Sequence, residues 1–210
     1  MNQRIVILGG GTAGWMTANA LVDAWGDKGA EISLVESPDI GTVGVGEGST
    51  PRMKIFFDDL GIEESEWMPK CNATYKNGIS FVNWSTRPGF GQYFHPFASQ
   101  IDHHTKTAFY LNTYARRLGV DVHAHPDRFF LSAKLSANRL GPKPDENFPF
   151  DVEYGYHFDA GLVGEFLRDK ATARGVKHIA SRVVDVKLTP QGNISSLQTS
   201  DDETIEGDFF

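Results

Sequence analysis

Cysteine is almost missing from this chain: Cys71 is the only one in 210 residues. No internal disulfide can form, which excludes a secreted, disulfide-stapled scaffold. Basic charge is also short. Twenty Lys and Arg stand against 27 Asp and Glu, a net of −7, and no basic cluster occurs, so a nucleic-acid partner is not expected. No apolar run nears the roughly 20 residues of a membrane helix. The apolar opening at 5–8 is too short for a signal peptide, and a cytoplasmic protein is the expectation. The 22 glycines follow no triplet period, which removes a collagen-like fibre. What is present is core material: 15 Phe, 6 Tyr and 4 Trp in a chain of this length exclude disorder.

Ile5-Val6-Ile7-Leu8 reads as a parallel strand buried on both faces. Gly9-Gly10-Gly11-Thr12-Ala13-Gly14 follows at once, and Trp15, Ala18, Leu21, Val22 and Trp25 then repeat at helical spacing, the face expected to pack on a sheet. Residues 31–36 form a second strand, completing a βαβ unit. Gly9, Gly11 and Gly14 fit G-x-G-x-x-G in the required strand–helix setting. The first glycine allows the tight turn, the second admits a pyrophosphate, and the third lets helix and strand close up. Glu36 ends the second strand about 20 residues on, where an acid receives a ribose hydroxyl. The motif alone leaves FAD and NAD open. A late helix, a meander and a remote return of the chain favour FAD.

Residues 38–51 form a shaped, glycine-rich loop including Gly44-Val45-Gly46-Glu47-Gly48-Ser49-Thr50-Pro51. Ser49 or Thr50 can cap a helix with Pro51 in its first turn, ended by Gly61. Residues 72–84 alternate as one strand, with Lys76, Gly78, Ser80 and Val82 on one face and Tyr75, Asn77, Ile79 and Phe81 on the other. Gly78 and Ser80 would leave space around the Lys76 ammonium, which is costly to bury without a partner or a wet cavity. From 85 to 156 prolines blur the pattern, apart from a helix near 105–118. Asp159 caps a second clear helix reaching Gly175, with Leu162, Val163, Phe166, Leu167 and Ala171 inward. Strands at 176–180, 183–188, 194–199 and 204–210 follow, one rejoining the first sheet and the rest forming an antiparallel flap. The chain stops inside an apolar strand, and we expect it to be incomplete at its C-terminus. His103-His104 and His123/His125 are the densest histidines; spacing gives them no third ligand, so no metal site is expected.

With Trp15 directly after the third glycine, Gly9–Trp15 resembles the flavin-dependent tryptophan halogenases. The likeness continues through Gly44–Pro51, Phe56–Ile62, Glu66-Trp67-Met68, Cys71–Lys76, Phe81-Val82-Asn83-Trp84 and Tyr156–Ala160. It implies a Rossmann-like, FAD-binding α/β fold arranged as 1–84 (first part of the FAD-binding domain with the lysine strand), 85–158 (a substrate-side insertion) and 159–210 (its truncated return). It also implies FADH2 from a separate NADH-dependent flavin reductase, with O2 and a halide ion giving hypohalous acid. Lys76 matches the lysine that passes the halogen to an indole-like aromatic, as an ammonium that polarises the oxidant or as an amine that forms a haloamine. Gly9, Gly10, Gly11, Thr12, Ala13, Gly14, Glu36, Ser37, Ile40, Glu47 and Val183 match cofactor positions, and His95 and Phe97 an aromatic pair at the substrate. The family's W-x-W-x-I-P tract is absent, because all four tryptophans precede it, and 85–147 diverges, which leaves the substrate open. A flavin monooxygenase that hydroxylates, and an FAD-binding module without chemistry of its own, are the competing readings.

Overall fold

The structure, a computed structural model, describes residues 3–41, 47–144 and 147–210. Gly44-Val45-Gly46 of the glycine-rich loop lies outside the described residues. In chain order the elements are β1 (Arg4–Leu8), α1 (Thr12–Trp25), β2 (Glu31–Glu36), α2 (Arg52–Asp59), α3 (Glu64–Trp67), β3 (Thr74–Lys76), β4 (Gly78–Val82) and β5 (Gln92–Pro96), followed by α4 (His103–Arg117), α5 (Leu131–Ala137), β6 (Gly155–His157), α6 (Ala160–Ala173), β7 (Lys177–Ala180), β8 (Val183–Leu188), β9 (Ile194–Thr199) and β10 (Thr204–Glu206). No helix among the described residues is long and apolar enough to cross a membrane. The chain divides into two compact units, residues 1–47, 59–73 and 158–210, and residues 48–58 and 74–157.

In the first unit, β1 and β2 pair in parallel, Ile5 opposite Ile32 and Leu8 opposite Val35. β7 joins β2, also in parallel, with Leu34 opposite His178. β8, β9 and β10 make a separate antiparallel sheet. Val6, Val35, Leu197 and Ile205 are buried together, with Ile179 and Val183 packed on them. That cluster joins the two sheets, and each such side chain contributes about 1.5–3 kcal/mol when fully buried.

The helical face differs from the expected one. α1 buries Trp15, Ala18, Asn19 and Val22, while Trp25, its last residue, is 46% exposed. The polar Asn19 is covered because α6 lies against α1: its Nδ2 donates to Trp15 O at 2.9 Å and to Leu167 O at 2.8 Å. A hydrophobic count misses such a residue, since its burial depends on a carbonyl from a distant helix. α6 starts as its sequence requires, with Asp159 Oδ1 accepting from Leu162 N at 3.0 Å. Cys71 is fully buried, and its thiol is pushed up to about 11 by burial and then by the charge of Asp159.

The second unit corrects the single strand expected at 72–84. The ladder breaks at Asn77. β3 pairs with β6, setting Thr74 opposite His157 and Lys76 opposite Gly155; β4 pairs with β5 instead. Alternation within 72–84 runs straight through this break, but the two halves find partners in different parts of the chain. Asn77 bridges the change, donating from Nδ2 to Leu140 O at 2.9 Å, with its carbonyl accepting from Phe97 N at 3.4 Å. Lys76 therefore does not share one continuous face with Gly78 and Ser80. On the other side of β3, Tyr75 meets Tyr154 edge-on with ring centroids 5.2 Å apart.

Candidate functional site

A cleft of about 1070 Å³ opens at the carboxyl ends of the parallel strands in the first unit. Gly9 takes φ +119°, a conformation that side chains avoid, and turns the chain off β1. Its N–H donates to Val35 O at 2.9 Å, which pins the turn to β2. A Cβ on Gly14 would overlap the Gly9 carbonyl and touch Leu34 Cδ1 at 3.5 Å, so only glycine lets α1 start this close to the sheet. The first bond of α1 runs from Trp15 N to Gly11 O at 3.1 Å. The N–H groups ahead of it have no intrahelical partner and have the helix dipole behind them, an arrangement that suits an anion.

Gly9, Gly10, Gly11, Thr12, Ala13, Glu36, Ser37, Ile40 and Val183 all line this cleft. Gly14 sits beneath it as the packing glycine. Glu47 is exposed and is not among the lining residues; its carbonyl accepts from Phe158 N at 2.9 Å. Phe158, Ala160, Ser181, Arg182 and Asp185 also line the cleft and were missed by sequence reasoning. One signal could have found Ser181 and Arg182. They directly follow β7, and in open parallel sheets ligands bind beyond the carboxyl ends of strands.

The second unit builds a smaller niche around Lys76. The lysine is half-buried, with its Nζ 6.0 Å from the centroid of the buried Phe97 ring. One glycine makes room for it: a Cβ on Gly48 would stand 2.9 Å from Lys76 Nζ and 3.5 Å from His157 Nδ1. Gly155, opposite Lys76 in the ladder, instead makes room for the Ser49 backbone, whose carbonyl oxygen a Cβ there would meet at 2.5 Å. Ser49 fastens the segment carrying Gly48, accepting from Tyr156 N at Oγ (3.0 Å) and donating from its backbone N to Tyr156 O (2.8 Å). Among the described residues no carboxylate pairs with Lys76. Burial holds its ammonium below the ordinary lysine range. His157 is held below its ordinary range too, by burial first and then by the Lys76 charge. Sequence reasoning missed His157 because it lies 81 positions away and reaches Lys76 only through the β3–β6 ladder. His95 and Phe97 meet different neighbours: His95 is exposed and edge-on to Phe81 at 6.4 Å, whereas Phe97 underlies the lysine.

The family model described as tryptophan halogenase matches residues 4–210. The chain belongs to the tryptophan halogenase family. Relatives of this halogenase-family chain include the tryptophan 6-halogenase SttH of Streptomyces toxytricini and the tryptophan 7-halogenase RebH of Lentzea aerocolonigenes. Each is 37% identical over 99% of the chain, which covers 43% and 41% of their respective lengths. A flavin-dependent halogenase from Xanthomonas campestris superposes with a TM-score of 0.78 at 36% identity, over 100% of this chain and 41% of that one. The chain thus spans about two-fifths of the relatives it matches.

Proposed function

We propose that this chain supplies the FAD-binding turn and the halogen-transfer lysine of a cytoplasmic, FADH2-dependent halogenase acting on an indole-like aromatic. The observation carrying this reading is Lys76: a half-buried cation without a carboxylate among the described residues, given space by Gly48, in a chain whose other unit builds a dinucleotide-shaped cleft. The cleft fits FAD. Its volume exceeds that of a drug-sized pocket, and the Gly9–Ala13 backbone offers donors to a pyrophosphate. Glu36 and Ser37 lie at the end of β2, where they would meet the adenosine ribose, with Ile40 and Val183 as apolar walls. When bound, reduced flavin supplies the electrons with which O2 converts halide to hypohalous acid; a separate flavin reductase would renew it.

Lys76 then acts on that oxidant. As an ammonium it donates to the oxygen and polarises the oxygen–halogen bond, so that the halogen passes to an aromatic carbon. The oxygen leaves as water, with the proton the carbon gives up. As an amine it would hold the halogen itself, and burial makes that form easier to reach. We assign the substrate side to residues 85–158, with Phe97 as a ring against which an indole can pack, and Glu47 to the loop over the cofactor. The test incubates the protein at its full natural length with a flavin reductase, FAD, NADH, bromide and a panel of indoles and phenols. A product with the bromine isotope pair in its mass spectrum is expected. Hydroxylated product that is indifferent to halide would replace this reading with a monooxygenase.

A further inference from the structure

His178 has no part in the reading above, yet it touches the cleft's one strand-end acid. It lies on β7 opposite Leu34, so its side chain shares the sheet face that carries Glu36 two residues further along β2. Its Nε2 stands 2.8 Å from Glu36 Oε1, close enough for an ion pair, although the ring N–H is not aligned for a directed hydrogen bond. The ring is braced from behind by Trp15, 1% exposed, whose centroid lies 5.2 Å away at an interplanar angle of 75°. The other carboxylate oxygen points elsewhere: a Cβ on Gly10 would overlap Glu36 Oε2. The two oxygens are therefore divided, Oε1 resting on the imidazole and Oε2 over the glycine turn at the cleft.

We propose that His178 is a positioning residue for the dinucleotide, fixing Glu36 so that Oε2 accepts a hydroxyl of the adenosine ribose. The inference rests on the FAD reading of the cleft. An unanchored glutamate has several rotamers to choose from and loses freedom on binding. One braced through Oε1 has already lost it, and the benefit falls only on ligands that carry the hydroxyl.

Isothermal titration of the protein at its full natural length with ADP and with 2′-deoxy-ADP separates the possibilities. The wild-type chain should prefer ADP. His178→Leu should weaken ADP about tenfold, the size of one charge-assisted hydrogen bond, leave 2′-deoxy-ADP unchanged, and so erase the preference. His178→Gln, which keeps an N–H donor, should restore part of it. In a Glu36→Gln background His178→Leu should have no further effect. If the leucine variant does not fold by circular dichroism, His178→Phe keeps the ring on Trp15 without a donor and carries the same comparison. A donor-free variant that retains the full ribose preference overturns the role of His178 alone. A wild-type chain that binds neither nucleotide overturns the FAD reading and this inference with it.

Discussion

The two units use glycine for different ends. In the turn after β1, glycines bring backbone to backbone: Gly14 lets α1 press on Gly9, and Gly10 lies under the Glu36 carboxylate. The space left over is a cleft of about 1070 Å³. In the other unit, Gly48 clears room for the Lys76 ammonium, and Gly155 lets the Ser49 segment close on β6 beside it. The first arrangement is built locally, by residues within one βαβ unit. The second is assembled from three separated segments, held by Ser49 and the β3–β6 ladder. A cofactor turn can thus be made from a short motif, whereas the lysine niche depends on long-range pairing.

The sharpest way to break this comparison is to remove the cation. Lys76→Ala should lower halogenation by about 10²–10³-fold while FAD binding, followed by titration, stays at the wild-type value. Equal loss of both would mean that the units do not divide the work as proposed. Next in size, Gly10→Val should weaken FAD about tenfold, because the added side chain must displace Glu36. Gly48→Ala tests the niche at finer scale. Gly48 does not use a left-handed backbone, so alanine is tolerated there, but its methyl would crowd Lys76 Nζ at 2.9 Å. Halogenation should fall about tenfold from misplacement of the amine, with FAD affinity and the thermal midpoint held.

The smallest effect concerns acid. Burial and the Lys76 charge disfavour the His157 imidazolium, so the unfolded chain holds that proton more tightly than the folded one. Stability therefore falls as pH drops below the ordinary histidine value of 6.5 and is recovered above it. His157→Gln should flatten that limb. The check is the difference in thermal midpoint between pH 5 and pH 7.5 for the two proteins; equal differences would remove His157 from the niche's electrostatics.

Legibility in the sequence followed the same division. The βαβ unit, the Asp159 cap and the return strand at 177–180 could be read because each depends on neighbours within a few residues: a glycine with positive φ, a helical period, a capping carboxylate. The break at Asn77 could not. Nothing in 72–84 distinguishes one strand from two, since pairing is decided by β5 and β6, and β6 lies in a stretch whose prolines hide its three residues. Asn19 and Trp25 exchanged their expected places for a related reason. Periodicity marks the face of a helix but not how far its last turn overhangs the sheet, nor whether a distant carbonyl waits for an amide.

The covering of Cys71 gains meaning beside this chemistry. Hypohalous acids consume thiolates faster than almost any other group in a protein, so an enzyme with the proposed chemistry stands to damage itself first at sulfur. Here the sole thiol is sealed from solvent and, with its ionisation pushed to about 11, stays protonated at neutral pH. Under the proposed reaction, the chain's one thiol lies out of the oxidant's reach.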